Sequence, residues 1–406
     1  MATKKVKKVI QFQWEGLNQK RVSQNGELEA PTLAQAKSIL RQRGIIVKKI
    51  KKKSKPLFST AKPIKSEDIS FASRQMATMI SAGIPIAQTL RAIGTGHENP
   101  SMEKLMLDLG RDVESGTSLS VALSKYPVYF NRLFTSLTEA GEESGKLDTM
   151  LDRVATYNEK LEAIKSKIKS AMLYPIIVLV VALLVTILLL LFVIPQFETL
   201  FQGVGADLPS LTRAVVSMSE WMQAYWWIFL GVIIISVVVF INSYKRSQKM
   251  QFALDRVILR MPVIGTIIRK SSLARFARTL AIIFSAGVPL VDGMATVGSA
   301  TGNRVYEKGA LDIKNEISTG RSLTVSMEET KLFPNMMVQM VSGGEESGDL
   351  ETMLDKTADF FEREVDDAVD ALASIIEPVM IVMLGTIIGT MVLAMYMPIF
   401  KLGAAI

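Results

Sequence analysis

The chain has 406 residues, of which 49% are hydrophobic and 21% charged, so it is too apolar for an ordinary soluble enzyme and must combine membrane spans with water-facing domains. It contains no cysteine and one histidine, His97, which excludes disulfides, thiolate nucleophiles and multi-histidine metal sites. The formal net charge of +8 is unevenly placed, because residues 1–65 carry 17 of the 47 Lys and Arg but only 3 of the 39 Asp and Glu.

Strand signals are confined to the N-terminal part of the chain. Between residues 10 and 50, QFQWEG, NGELEA and IIVKKI surround an expected helix that Gly44 closes. This order predicts a small β-β-α-β module over residues 1–50, followed by a basic linker over 51–65. The linker has three interpretations: solvated chain, a segment attracted to anionic lipid, or a segment that binds an acidic partner. Because aromatic residues are not interleaved with the lysines, no nucleic-acid binding is expected.

Residues 66–173 are expected to form a helical domain. Ser66, followed by two acidic residues, predicts the N-cap of a helix that Gly83 and Pro85 end. A later helix begins after Gly145 and is expected to continue toward the membrane. Further helices are expected at residues 102–115, 119–125 and 131–140.

Three long segments without charged residues predict membrane-spanning helices. They are placed at residues 174–196, 224–244 and 376–400, and the uncharged run of the third begins after Glu377. Within the first, residues 176–194 are uniformly apolar and would cover about 28 Å as a helix, which matches a bilayer core. Because the spans contain no Asp, Glu, Lys, Arg or His between their flanking charges, a transporter or a proton-driven motor is disfavoured.

The charges beside the spans predict their orientation. The inner flanks of the first two spans are rich in Lys and Arg, whereas Arg213 is the only basic residue in the loop at 197–223. By the positive-inside rule, the N-terminus and the domains at 66–173 and 245–375 are cytoplasmic. The loop and the tail at 401–406 are then periplasmic. The inner flank of the third span is acidic, so its direction follows from alternation alone. The basic flanking residues are Lys160, Lys165, Lys167, Lys169, Lys245, Arg246 and Lys249.

The chain is a tandem repeat. SAGIP at residues 81–85 recurs as SAGVP at 285–289, at an offset of 204. GEESGKLDTMLD at 141–152 recurs as GEESGDLETMLD at 344–355, at an offset of 203. The repeat predicts two homologous helical-bundle domains, each leading outward through a span. The second span has no counterpart in the repeat. It lies between the two copies and returns the chain to the cytoplasm, where the second copy begins. The expected fold is therefore mainly α: a polytopic membrane protein with two such domains, three transmembrane helices and the small α/β module.

The repeated GEESG segment resembles a phosphate-binding loop but lacks its spacing. Only three residues separate the glycines, and Asp349 replaces Lys146 in the second copy, so no nucleotide binding is expected. Three other interpretations remain: a tight helix-helix corner, an exposed acidic surface that docks a partner, or a divalent cation held by the carboxylates. The docking candidates are Gly141, Glu142, Glu143, Gly145, Gly344, Glu345, Glu346 and Gly348, and the cation candidates are Glu142, Glu143, Glu345 and Glu346.

The third span contains a small-residue pair. Gly385 and Gly389 have the G-x-x-x-G spacing that allows two helices to approach closely. The partner helix belongs either to the same chain or to a neighbouring subunit. Elsewhere in the sequence no catalytic constellation is apparent, so neither an enzymatic activity nor a cofactor is expected.

These motifs resemble a known family. The duplicated SAG[IV]P and GEESG[KD]L[DE]TMLD motifs, the LYP and IEP entries into the first and third spans, and the FQWEG start are similar to the inner-membrane platform proteins of type IV pilus assembly, which are homologous to the platform of type II secretion. The FQWEG start favours the pilus branch, and the secretion branch is the alternative.

The resemblance implies a place in the bacterial inner membrane and a mechanical function. It implies a homo-oligomer, with a dimer favoured, that couples the motion of hexameric cytoplasmic ATPases to the insertion or removal of pilin subunits. Inner-membrane alignment-complex proteins are further implied partners.

Overall fold

The computed structural model describes residues 10–17, 23–30, 33–42, 44–52, 62–196, 199 and 209–403. The chain divides into two compact units, residues 1–63 and 64–406. In the first unit, strands β1 (Ile10–Leu17), β2 (Ser23–Ala30) and β3 (Ile46–Lys52) form an antiparallel sheet in the order β2-β1-β3. Helix α1 (Leu33–Gln42) precedes β3, and its Leu40 is buried beside Ile45.

The second unit is helical and contains the repeat. Its first copy, lobe 1, and its second copy, lobe 2, share one continuous cluster of buried apolar side chains. The helices in chain order are α2 (Ser66–Ser81), α3 (Ile86–Thr95), α4 (Pro100–Glu114), α5 (Leu119–Ser124), α6 (Arg132–Ser144), α7 (Leu147–Leu188), α8 (Ser210–Arg246), α9 (Gln248–Ile258), α10 (Ile264–Ser285), α11 (Leu290–Ala300), α12 (Arg304–Ser318), α13 (Leu323–Thr330), α14 (Asn335–Ser347) and α15 (Leu350–Gly403).

Helices α2 to α6 with the start of α7 form lobe 1, and α10 to α14 with the start of α15 form lobe 2. The two sets correspond one to one, as the sequence repeat predicts. Helix α3 was not among the predicted helices. Pro85 is its N-cap residue, so the Gly83-Ile84-Pro85 turn that ends α2 leads directly into α3.

The lobes and the spans share continuous helices. In the part of the chain that the structure describes, three helices are long and apolar enough to cross a membrane: Leu147–Gln196, Ser210–Tyr244 and Leu350–Met397. The expected boundaries after residues 173 and 375 lie inside α7 and α15, so no loop separates lobe from span. Helix α8 begins at Ser210. Residues 210–223, which were expected to belong to the loop at 197–223, are therefore helical.

The end of the first span contains a π-helical turn, Leu189–Val193. The Ile194 amide donates to the Leu189 carbonyl, and Pro195 has no amide hydrogen, so neither residue donates to the Leu190 carbonyl. The hydroxyl of Ser219 on α8 donates to that carbonyl instead. Because an unpaired carbonyl is costly in an apolar environment, this hydrogen bond stabilises the packing of α8 against the first span.

A second hydroxyl joins α8 to the third span. Thr212 Oγ1 donates to the Ala394 carbonyl at 2.6 Å. Around these two hydrogen bonds the three helices bury a small apolar cluster, which comprises Leu190, Ile194, Val215, Val216, Met391 and Ala394. The three spans therefore meet at one end through both apolar contact and hydroxyl-to-carbonyl bonds.

Candidate functional site

The repeated GEESG segment forms the same tight corner in both lobes. Gly145 and Gly348 end α6 and α14 in the left-handed conformation, with φ of +70° and +74°. A Cβ on Gly141 would lie 3.0 Å from the Cα of Leu147, and one on Gly344 would lie 2.9 Å from the corresponding backbone atom of Leu350. These glycines therefore permit the close helix crossing that the corner interpretation requires.

The first glutamate of each corner caps a neighbouring helix. Glu142 Oε1 accepts the amide of Leu119 at 2.6 Å, and Oε2 accepts the amide of Ser120 at 3.1 Å. In lobe 2, Glu345 accepts the amides of Leu323 and Thr324 at 2.8 and 3.0 Å. Each carboxylate thus satisfies free amides at the start of α5 or α13, where negative charge is also favoured by the helix dipole.

The second glutamate of each corner is exposed. Glu143 lines a cleft of about 590 Å³ between α6 and α11, together with Glu139 and Asp292. In lobe 2, Glu346 accepts a hydrogen bond from the nearby hydroxyl of Ser342, at 3.2 Å. Among the described residues, the structure contains no cluster of three potential metal ligands. Of the two glutamates in each corner, the second is the one free to meet a partner.

A repeated arginine clamps the first helix of each lobe to the helix that enters the membrane. Arg74 on α2 contacts Asp152 at 2.5 Å and Glu159 at 2.6 Å on α7. In lobe 2, Arg278 on α10 occupies the same position and contacts three carboxylates of α15, Asp355, Asp359 and Glu362.

These clamps perturb the acidity of their members. The hydrogen bond from Arg74 is the main cause that lowers the pKa of Glu159, and burial opposes it. The sequence interpretation missed both clamps. The signal was present, because Arg74 and Arg278 are 204 residues apart and Glu159 and Glu362 are 203 apart, as in the repeat itself.

The two lobes meet along α7 and α15. Three cations on α7, spaced seven residues apart and so on one helix face, contact carboxylates of α15. Arg153 lies 3.3 Å from Glu351, Lys160 lies 2.9 Å from Glu362, and Lys167 lies 3.1 Å from Asp370. Because the paired residues advance together along both helices, α7 and α15 run parallel.

An aromatic and a buried arginine complete this contact. Tyr157 on α7 is 3% exposed, and burial raises the pKa of its phenol, while Thr279 and the charge of Arg275 on α10 oppose this shift. Burial lowers the pKa of Arg275, whose guanidinium packs against Gly302. In the described residues, Nε of Arg275 has no hydrogen-bond partner. The lobe contact therefore has an ionic edge on α7 and α15 and a desolvated centre at Tyr157.

The small-residue pair of the third span is open in this chain. A Cβ added to Gly385 or to Gly389 would find no described atom within 4 Å. Of the two interpretations, packing against a helix of the same chain therefore receives no support from these contacts, and a subunit interface stays a prediction.

Together these features define a class: a polytopic helical membrane protein with duplicated lobes fused to its spans. The family of type II secretion system protein F matches residues 72–195 and again residues 276–398, and the N-terminal domain of that family matches residues 1–51. The chain belongs to this family. The double match confirms the tandem repeat, and the family is the one that the sequence motifs resemble.

Curated relatives fall into two groups. The chain is 48% identical to type IV pilus assembly protein TapC of Aeromonas hydrophila, over 98% of this chain and 96% of the relative. It is also 48% identical to type IV pilus assembly protein PilC of Pseudomonas aeruginosa, over 90% and 98%. Type II secretion system protein F of Vibrio cholerae is 31% identical, over 96% and 98%.

Proposed function

We propose that this protein is the inner-membrane platform of a type IV pilus machine. The observation that carries the proposal is the difference in identity: 48% to a pilus assembly protein over 98% of this chain, against 31% to a secretion protein over 96%. The platform of a type II secretion system is the alternative. In a deletion strain we expect surface pili and twitching to be lost while secretion continues. Loss of secretion with intact pili would instead assign the protein to the secretion branch.

The proposed role is mechanical rather than catalytic. Helices α7 and α15 run unbroken from the lobes into the spans, so a displacement of a lobe moves the attached span. The Arg74 and Arg278 clamps fasten the first helix of each lobe to these two helices, which makes each lobe and its span one lever. Motion of a cytoplasmic ATPase beneath the lobes would then shift the spans against pilin subunits in the bilayer.

The proposed placement puts both lobes in the cytoplasm and the 197–223 and 401–406 segments in the periplasm of a bacterial inner membrane. Its support is the charge distribution beside the spans. Because the chain has no cysteine, single cysteines report topology cleanly. In spheroplasts, a membrane-impermeant maleimide should label Ser210→Cys directly and Val121→Cys only after lysis. The opposite labelling order would invert the proposed topology.

The proposed docking surface for an ATPase is the exposed half of the two corners, Glu143 and Glu346. Its support is that both carboxylates are exposed while their neighbours are used as helix caps. The double variant E143K/E346K should lose piliation while membrane insertion and oligomer size stay unchanged. The matched control E98K/E328K makes the same charge change at exposed sites elsewhere on the lobes and should retain pili. Normal piliation in E143K/E346K would exclude docking at the corners.

A further inference from the structure

The contact between the two lobes joins unlike surfaces. Lobe 1 contributes face A, which is Arg153, Tyr157 and Lys160 on α7. Lobe 2 contributes face B, which consists of residues on α10 and α15. Because the lobes are repeats, each lobe also carries a copy of the face that the other one uses in this contact. The residues of face B are Arg275, Thr279, Glu351, Asp359 and Glu362.

The copy of face A on lobe 2 is open. An offset of 203 places Lys356, Phe360 and Arg363 at the positions of the three face A residues. All three are exposed, and Phe360 is 38% exposed where Tyr157 is 3% exposed. An aromatic ring flanked by two cations, one helical turn away on each side, thus lies uncovered on α15.

The copy of face B on lobe 1 is open as well. Phe71 stands at the position of Arg275 and is 58% exposed. About two turns further along α2, Thr78 is exposed where its counterpart Ile282 is buried. Two of the three acidic positions of face B are retained, because Asp148 corresponds to Glu351 and Glu159 to Glu362, whereas Thr156 replaces Asp359. The copy therefore presents an aromatic centre in place of Arg275, beside an acidic edge, without a covering lobe.

The two open faces are complementary to each other. Repeating the observed lobe contact between them would place Lys356 against Asp148, as Arg153 is placed against Glu351. It would also place Phe360 against Phe71, as Tyr157 is placed against Arg275. The first of these pairs is oppositely charged and the second joins two aromatic rings. The contacts of Lys160 with Asp359 and of Tyr157 with Thr279 are not reproduced in kind, because Thr156 and Gln75 stand at the positions of Asp359 and Thr279.

A second charged pair follows the same pattern. Arg363 would meet Glu159, as Lys160 meets Glu362. Glu362 receives Lys160 although it is already held by Arg278, at 2.9 Å. Glu159 likewise forms an ion pair with Arg74, at 2.6 Å. It can therefore bind a second cation in the geometry that Glu362 shows.

We propose that lobe 2 of one chain docks on lobe 1 of a second copy of this chain by repeating the contact that joins the two lobes within the chain. A contact between unlike faces either closes into a ring or extends as an open array. Since α7 and α15 are parallel and enter one membrane, each added copy keeps the same orientation toward the bilayer, and a closed ring is the arrangement that leaves neither face uncovered. Two chains are the fewest that complete such a ring, with lobes 1 and 2 alternating around it.

The absence of cysteine from the chain permits a direct test in native membranes. Full-length protein that carries both Phe71→Cys and Phe360→Cys should form covalent dimers or closed multiples under mild oxidation. Each single variant should stay monomeric on a non-reducing gel, because the contact joins unlike faces. The control pair Val121→Cys and Val325→Cys lies at exposed equivalent positions outside both faces and should not cross-link. Cross-linking of Phe71→Cys alone, or none in the double variant, would overturn the proposal.

A charge exchange tests the same contact independently. Both Asp148 and Lys356 are exposed, so their reversal leaves each lobe folded. In the cysteine background, Asp148→Lys or Lys356→Glu alone should reduce the cross-linked fraction about fivefold, which is the scale of one close charge pair. The two reversals together should restore it. Failure of the double reversal to exceed the single ones would refute the pairing.

Discussion

Replacement of Glu345 by alanine should loosen the start of α13 while the rest of lobe 2 stays folded. Glu345 accepts the amides of Leu323 and Thr324 at 2.8 and 3.0 Å, and its removal leaves both amides without a side-chain acceptor. Because the site is partly exposed, water replaces some of the lost interaction. The cost should therefore be that of a lost N-cap, about 1–2 kcal/mol.

Hydrogen exchange on the full-length protein measures this cost locally. A loss of about 1–2 kcal/mol corresponds to a roughly 5- to 30-fold faster exchange of the peptide that contains residues 323 and 324, if exchange occurs by local opening. Glu345→Gln keeps one acceptor oxygen and should fall between alanine and the native residue. Glu346→Ala, at the adjacent exposed position, is the matched control and should change stability by less than about 0.5 kcal/mol. Equal exchange in the two alanine variants would refute the capping role.

Three further outcomes follow from hydrogen bonds and backbone geometry. Ser219→Ala removes the donor to the orphaned span carbonyl, so the thermal midpoint in detergent should fall by the equivalent of about 1–2 kcal/mol, whereas the exposed Ser236→Ala should leave it unchanged. The pKa of Glu159 is depressed in the folded chain, chiefly by its hydrogen bond from Arg74. The Glu159 carboxylate therefore contributes fully to the free energy of unfolding above its pKa in the unfolded chain, about 4.3. This contribution is lost as the pH falls through the lower pKa of the folded chain. Acid unfolding should consequently be less steep in Arg74→Gln, and an unchanged profile would contradict the clamp. Gly145→Ala forces a side chain into φ +70° and should cost about 1 kcal/mol or more in denaturant unfolding, so a neutral result would be inconsistent with the left-handed corner.

Much of the fold is visible in the sequence because it is encoded by local patterns. The uncharged runs identify the three spans, and the motifs that recur 203 or 204 residues apart identify the two lobes. The role of the corner glycines is also predictable from the sequence, since Gly145 and Gly348 end helices in the left-handed conformation that glycine favours. The sequence was less informative about boundaries. Helical hydrogen bonding continues across the lobe and the span, so α7 and α15 show no break where the composition changes.

For the candidate site, too, the sequence predicted one part and the folded chain determined the other. The sequence pattern identified the corner residues but treated Glu142 and Glu143 as equivalent, because both are acidic neighbours in one motif. Only the folded chain separates them. The acceptor role of Glu142 depends on amides 22 and 23 residues earlier, which the fold brings to its carboxylate.

The sequence by itself therefore determined the duplication, the number of spans and the family motifs, since each of these depends on the order of residues along the chain. The tertiary structure alone decided which carboxylates are caps, which arginine clamps which helix, and which copy of each repeated face is covered. Arg278 meets Asp355 and Glu362 from 77 and 84 residues away. Such pairings depend on how helices pack, and neither periodicity nor composition specifies that packing.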